Sequence, residues 1–161
     1  MKSMKPCPFK LHLEIIEDQT LIATIENISD EIVPIIYDDY WNPSRLNVST
    51  QDGMEISFEN VFPPVTPPSP IYLFIKPGSI TKLTKSSIVK KNNTRRFSWA
   101  SSQGFRLDPG TYTLQAFVSI SYGLNALYDT ESYEQTVLIN NGFAEAWKGE
   151  LESNILEYEF N

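Results

Sequence analysis

Phe9-Lys10-Leu11-His12-Leu13-Glu14-Ile15 decides the fold class, because apolar and polar side chains alternate along it without a break. Successive side chains of an extended chain point to opposite faces. Phe9, Leu11, Leu13 and Ile15 therefore share one face, and Lys10, His12 and Glu14 share the other. This is the pattern of a half-buried strand. Glu17-Asp18-Gln19 reads as a turn, and Leu21, Ala23 and Ile25 repeat the alternation beyond it.

Moving outward, the same period recurs. Ile32 to Tyr37 is a third apolar run, and Pro34 inside it predicts an edge or a bulge. Leu46 and Val48 lead into Gln51-Asp52-Gly53, and Met54, Ile56 and Phe58 lead out. An Asp-Gly pair between alternating segments predicts a hairpin. Phe62 to Pro70 reads FPPVTPPSP, which forbids helix and central strand and predicts an extended crossover between sheets. Ile71 to Ile75 is a short strand, and Lys76-Pro77-Gly78-Ser79 has the residues of a type II turn. Ile80 to Val89 alternates imperfectly, which predicts a bulge. Lys90 to Arg96 reads as a charged loop, with Asn92-Asn93 turning it. Phe97 to Ala100 is extended. Asp108-Pro109-Gly110 turns into the strand of Tyr112, Leu114, Ala116 and Val118. Tyr122 to Asp129 is a loop, Thr136 to Ile139 a strand, and Leu156, Tyr158 and Phe160 a last strand.

No long segment holds a helical period. Turn residues interrupt at the spacing of a sandwich or barrel. The expectation is an all-β fold: an immunoglobulin-like antiparallel β-sandwich of two sheets and about seven to nine strands. Residues 1–8 are expected as a flexible N-terminal segment, and residues 9–161 as one sandwich domain.

With 161 residues and 41% hydrophobic content, the chain can build a core without disulfide staples. Cys7 is the single cysteine, so no intrachain disulfide forms. No signal-like or membrane-spanning apolar run is present, which predicts a cytoplasmic protein as the sequence stands. A leader removed upstream would place it in the periplasm or outside the cell.

The net charge of −7 argues against nucleic acid as a partner. The distribution says more than the total. Asn60 to Leu107 contains no Asp or Glu and eight cations: Lys76, Lys82, Lys85, Lys90, Lys91, Arg95, Arg96 and Arg106. The rest of the chain sets five Lys and Arg against twenty Asp and Glu.

Three stretches carry a family likeness. Phe74-Ile75-Lys76-Pro77-Gly78-Ser79 resembles the turn before a long strand in bacterial intracellular proteinase inhibitors. Leu107-Asp108-Pro109-Gly110-Thr111-Tyr112-Thr113-Leu114 resembles their later strand opening. Trp147-Lys148-Gly149-Glu150-Leu151-Glu152-Ser153-Asn154 is similar to the last-strand entry of uncharacterised bacterial immunoglobulin-like proteins. The resemblance implies a fold and, through the first family, inhibition; no matched position identifies an inhibitory residue. The same residues also have a physical role. Tyr112 can bury its ring while its hydroxyl bonds nearby backbone, and Trp147 can pack across Gly149, which has no side chain.

Catalytic chemistry finds little to use. His12 is the only histidine, and with Cys7 it gives neither a triad nor zinc spacing. No Gly-rich phosphate loop is present. The expectation is no catalytic residue, no metal and no cofactor. Asp38-Asp39-Tyr40-Trp41 is the best acidic and aromatic cluster, a candidate ligand platform set against a plain solvated loop. Pro64, Pro67 and Pro68 lie in the proline-rich stretch, a candidate docking segment set against a rigid crossover. Lys90, Lys91, Arg95 and Arg96 form the basic loop, a candidate contact for an acidic partner protein.

The sequence thus predicts a non-enzymatic protein-binding domain, a proteinase inhibitor or immunity-type protein acting through exposed loops. Its partner is another protein, acidic or a protease. The alternatives are a carbohydrate-binding or cell-surface accessory module using Tyr40, Trp41 and the Tyr122–Tyr133 loop as stacking surfaces, and a small hydrolase with an atypical site at His12.

Overall fold

The computed structural model describes residues 6–37, 44–61, 71–100, 102–120 and 147–160. Within them the chain forms thirteen strands and no helix. The leading alternation becomes a hairpin of β1 (Phe9–Ile16) and β2 (Thr20–Asn27), with Leu11 opposite Ile25 and Leu13 opposite Ala23. β7 (Ile80–Ser87) pairs the other side of β2. Its register shifts between Ala23 and Thr24, so Leu83 has no partner and both Leu83 and Thr84 turn inward. This is the bulge that the imperfect alternation predicts.

A second sheet is built on the long β11 (Gly110–Ile120). β4 (Ser44–Thr50) pairs one side of it. β12 (Gly149–Glu152) and β13 (Leu156–Phe160) share the other side. A third sheet runs in the order β5 (Glu59–Asn60), β10 (Gln103–Leu107), β9 (Thr94–Trp99), β8 (Val89–Lys91). β3 (Val33–Tyr37) pairs only β6 (Ile71–Ile75), which is the edge setting that Pro34 demands. All ladders between named strands are antiparallel. Their inner faces converge on one buried cluster that includes Leu21, Ile25, Val48, Trp99 and Ala116, as in a β-sandwich.

Thirteen strands exceed the seven to nine expected, for a local reason. The charged loop expected over Lys90 to Arg96 is β8 and the start of β9, the extended segment expected from Phe97 completes β9, and the strand β10 was not anticipated. The turns follow their residues. Ser79 N–H donates to Lys76 C=O at 3.1 Å, and Gly78 sits at φ +74°, as a type II turn requires. Gly53 takes φ +86° in the Asp-Gly turn, and Ile56 N–H returns to Val48 C=O at 2.8 Å. Tyr112 is buried, and its hydroxyl donates to Asp108 C=O at 2.6 Å. The Trp147 ring covers Gly149 so closely that a Cβ there would meet it at 2.5 Å. The same ring meets Phe9 edge-on at 5.1 Å.

Side-chain amides close the seams between sheets. Gln103, buried in β10, accepts from Leu46 N–H at 2.7 Å and donates to Leu46 C=O at 3.2 Å. It stands where a neighbouring strand would stand beside Leu46, on the edge of β4 that Met54 and Ile56 bond farther along. Asn154 does the same for β1: it accepts from Leu13 N–H at 2.8 Å and donates to Leu13 C=O at 3.1 Å. Asn27 is fully buried and uses both ends of its amide, donating to Glu31 and Ile75 carbonyls at 2.8 and 2.7 Å and accepting from Ser29. A buried backbone pair left without such a partner costs about 1–3 kcal/mol per group.

Candidate basic groove

The groove is made by a chain that changes sheets. At Ile88 the backbone N–H still bonds Gln19 C=O, at 2.7 Å, beside the first sheet. One residue later Val89 pairs Arg96 in the third sheet. The β8–β9 hairpin turns at Asn92, whose φ of +55° suits an Asn side chain better than most. Thr94 closes the turn by donating its hydroxyl to Lys91 C=O at 2.8 Å.

Neighbours on a strand face opposite ways, and this splits the basic residues. Arg95 turns inward: its side chain is 11% exposed, and its guanidinium lies 4.7 Å over the Phe160 ring and 4.0 Å from the Asp18 carboxylate. Lys90 is exposed and pairs with Arg95. Arg96 turns outward and stands directly opposite Arg106 on β10. Cross-strand like charges cost about 0.2–1 kcal/mol. Neither guanidinium enters an ion pair among the described residues, and nor does Lys91.

Lys91, Arg96 and Arg106 line an open groove of about 680 Å³. That volume falls in the usual range for ligand sites, about 300–1,000 Å³. Glu59 is the single acid in its lining. Phe97 and Phe105 border it, but alternation turns their rings to the opposite, inner face, where both are buried. The phenyl rings of Phe97 and Phe105 stack with centroids 5.1 Å apart. Gly104 lets Val61 approach the sheet, since its Cβ would lie 3.2 Å from Val61 Cγ2. Of the four basic residues singled out from sequence, the structure brings Lys91 and Arg96 together. It adds Arg106, which sequence reasoning did not single out. Arg106 was visible in the acid-free window, and reading Gln103–Leu107 as a strand would have placed it.

Behind the groove sheet, two tyrosines have raised pKa values. Tyr158 is pushed up by burial and then by the Asp18 carboxylate, with Arg95 pulling the other way. Tyr112 is pushed up by burial and then by Asp108.

The other sequence candidates fall elsewhere. His12 Nε2 lies 3.7 Å from Glu26 Oε2 on the outer face of the first sheet, and Cys7 is exposed. Among the described residues no group of three or more His, Cys, Asp or Glu could hold a metal ion. Among the described residues there is no helix long and apolar enough to cross a membrane. Asp38, Asp39, Tyr40 and Trp41, and Pro64, Pro67 and Pro68, lie outside the described residues. Comparison with family models, curated proteins and solved structures finds no match to this chain.

Proposed function

We propose that this chain is a non-enzymatic binding domain whose groove across β8, β9 and β10 takes an acidic segment of another protein. One observation carries it: Lys91, Arg96 and Arg106 are gathered along one groove, and no described acid pairs with them. Folding sets Arg96 against Arg106 at a small cost, and an anionic partner removes that cost on binding. Opposite potentials also speed encounter and set register. An immunoglobulin-like arrangement, which leaves loops and a short strand edge for recognition, suits this task. Inhibition of a protease or neutralisation of a toxin are particular forms of it.

The test is partner capture by the intact protein, with Arg96→Glu plus Arg106→Glu against Lys90→Glu. Lys90 carries the same charge but is not part of the groove lining. The double variant is expected to lose capture and Lys90→Glu to keep it. Equal capture by both overturns the groove as the site.

A further inference from the structure

We propose that a second copy of this chain docks on the groove, presenting the glutamate row of its β12 and β13 to Lys91, Arg96 and Arg106. This rests on the groove being a binding surface and goes further, since the acid is now the chain's own. Self-docking then competes with a foreign partner for the same cations.

The row is the first support. Glu150 and Glu152 are exposed on β12, with Leu151 buried between them. Glu157 and Glu159 are exposed on β13, with Tyr158 buried between them. Both strands run along one border of β11. Glu150 stands opposite Ser119, Glu152 opposite Phe117, Glu157 opposite Thr113 and Glu159 opposite Thr111. Those β11 positions share one face, so all four carboxylates lie on the outward side of the second sheet. From Thr111 to Ser119 the row runs about 27 Å. None of the four enters an ion pair among the described residues. Arg45, across β11, is engaged with Glu55 at 3.8 Å. Lys148, just ahead of β12, is the cation next to the row in the chain.

The second support is the match of spacings. Residues two apart on a strand are about 7 Å apart, which sets Glu150 from Glu152. In the groove Arg96 is directly opposite Arg106, at about 5 Å, and diagonal to Lys91, at about 7–8 Å. Two successive glutamates therefore reach the arginine pair and the lysine together. Each surface also carries an apolar side chain among its charges. Phe117 lies with Glu150 and Glu152 in an open hollow of about 460 Å³, and exposed Val89 ends the arginine row. The two surfaces belong to the outward faces of different sheets, and no described ion pair joins them within the molecule. Both are left for neighbours. Two unlike patches make a head-to-tail contact, which repeats from copy to copy. The net charge of −7 opposes approach at long range, but at 0.1 M salt charges beyond about 10 Å are screened and those in contact are felt.

Sedimentation of the intact protein over a concentration series tests this. At 0.1 M salt the wild type is expected to gain mass with concentration, and at about 1 M, where screening reaches about 3 Å, to weaken at least tenfold. Arg96→Glu with Arg106→Glu should stay monomeric, and so should Glu150→Lys with Glu152→Lys, with circular dichroism unchanged in both. The milder Arg96→Gln and Glu152→Gln should each weaken assembly severalfold. Mixing the two charge-reversed proteins is the decisive arm. The first keeps its row and the second keeps its groove, so they should form a one-to-one complex that grows no further. A wild type that stays monomeric at every concentration, or a mixture that does, overturns the self-docking. So does a charge-reversed protein that assembles alone as the wild type does. Capture of a foreign partner that needs both arginines, by a chain that never self-associates, overturns the self-docking and leaves the groove as the partner site. A mixture that assembles beside capture indifferent to both arginines overturns the partner reading alone.

Discussion

The seams of the molecule and its basic groove treat polar groups in opposite ways. At the seams, Gln103, Asn154 and Asn27 spend their amides on backbone that would otherwise be bare. In the groove, Arg96 and Arg106 face each other with no described counter-ion. β10 contributes to both, with Gln103 at a seam and Arg106 in the groove. The difference separates groups that hold the fold from groups held ready by it. Substituting the first kind should lower stability, and substituting the second should raise it.

The largest effect is expected at Gln103. Gln103→Leu keeps bulk but strands Leu46 N–H and C=O in the interior. At about 1–3 kcal/mol per stranded group, the loss is about 2–4 kcal/mol, read from the urea midpoint. A loss below about 1 kcal/mol would show that water replaces the amide and that the seam holds little.

Gly149→Ala comes next. Its Cβ would meet the Trp147 ring at 2.5 Å, and overpacking of that kind costs about 1–3 kcal/mol. Trp147→Leu should relieve most of the clash in the double variant. Additive losses would show that Gly149 matters for some other reason.

Tyr112→Phe deletes the bond to Asp108 C=O and should cost about 1 kcal/mol. It also tests the alkaline limit. The Tyr112 pKa is raised in the folded state, so folding favours its neutral form. That contribution is complete below the ordinary value of 10.0 and is lost as pH rises through the raised one. The wild type should therefore lose stability above that pH more steeply than Tyr112→Phe. Parallel curves would assign the alkaline loss to other groups, Tyr158 among them.

The smallest effect has the opposite sign. Arg106→Thr removes one of the facing charges and should gain about 0.5 kcal/mol, while partner capture falls. A loss of stability would mean that Arg106 belongs with the seams, and the contrast would fail.

The sequence makes the sandwich legible because alternation and turn chemistry are local. Phe9 to Ile15, Asp52-Gly53 and Pro77-Gly78 each carry their outcome within a few residues. The seams are not local. Gln103 and Leu46 are 57 positions apart, and Leu13 and Asn154 are 141 apart, so only the folded chain shows that an amide meets a strand edge. The groove was half legible. The acid-free window pointed to the right charges, but treating Lys90 to Arg96 as a loop hid the alternation that sends Arg95 to Phe160 and Arg96 to solvent.

One property of the seams reaches beyond the single molecule. Along β1 at Leu13, the neighbour is the amide of Asn154 rather than another strand's backbone. Without that amide, as in Asn154→Ala, Leu13 presents an unpaired donor and acceptor on a strand border, and such borders recruit strands from other chains. Asn154 thus guards against aggregation: its loss is expected to appear as concentration-dependent assembly at temperatures where the fold itself survives.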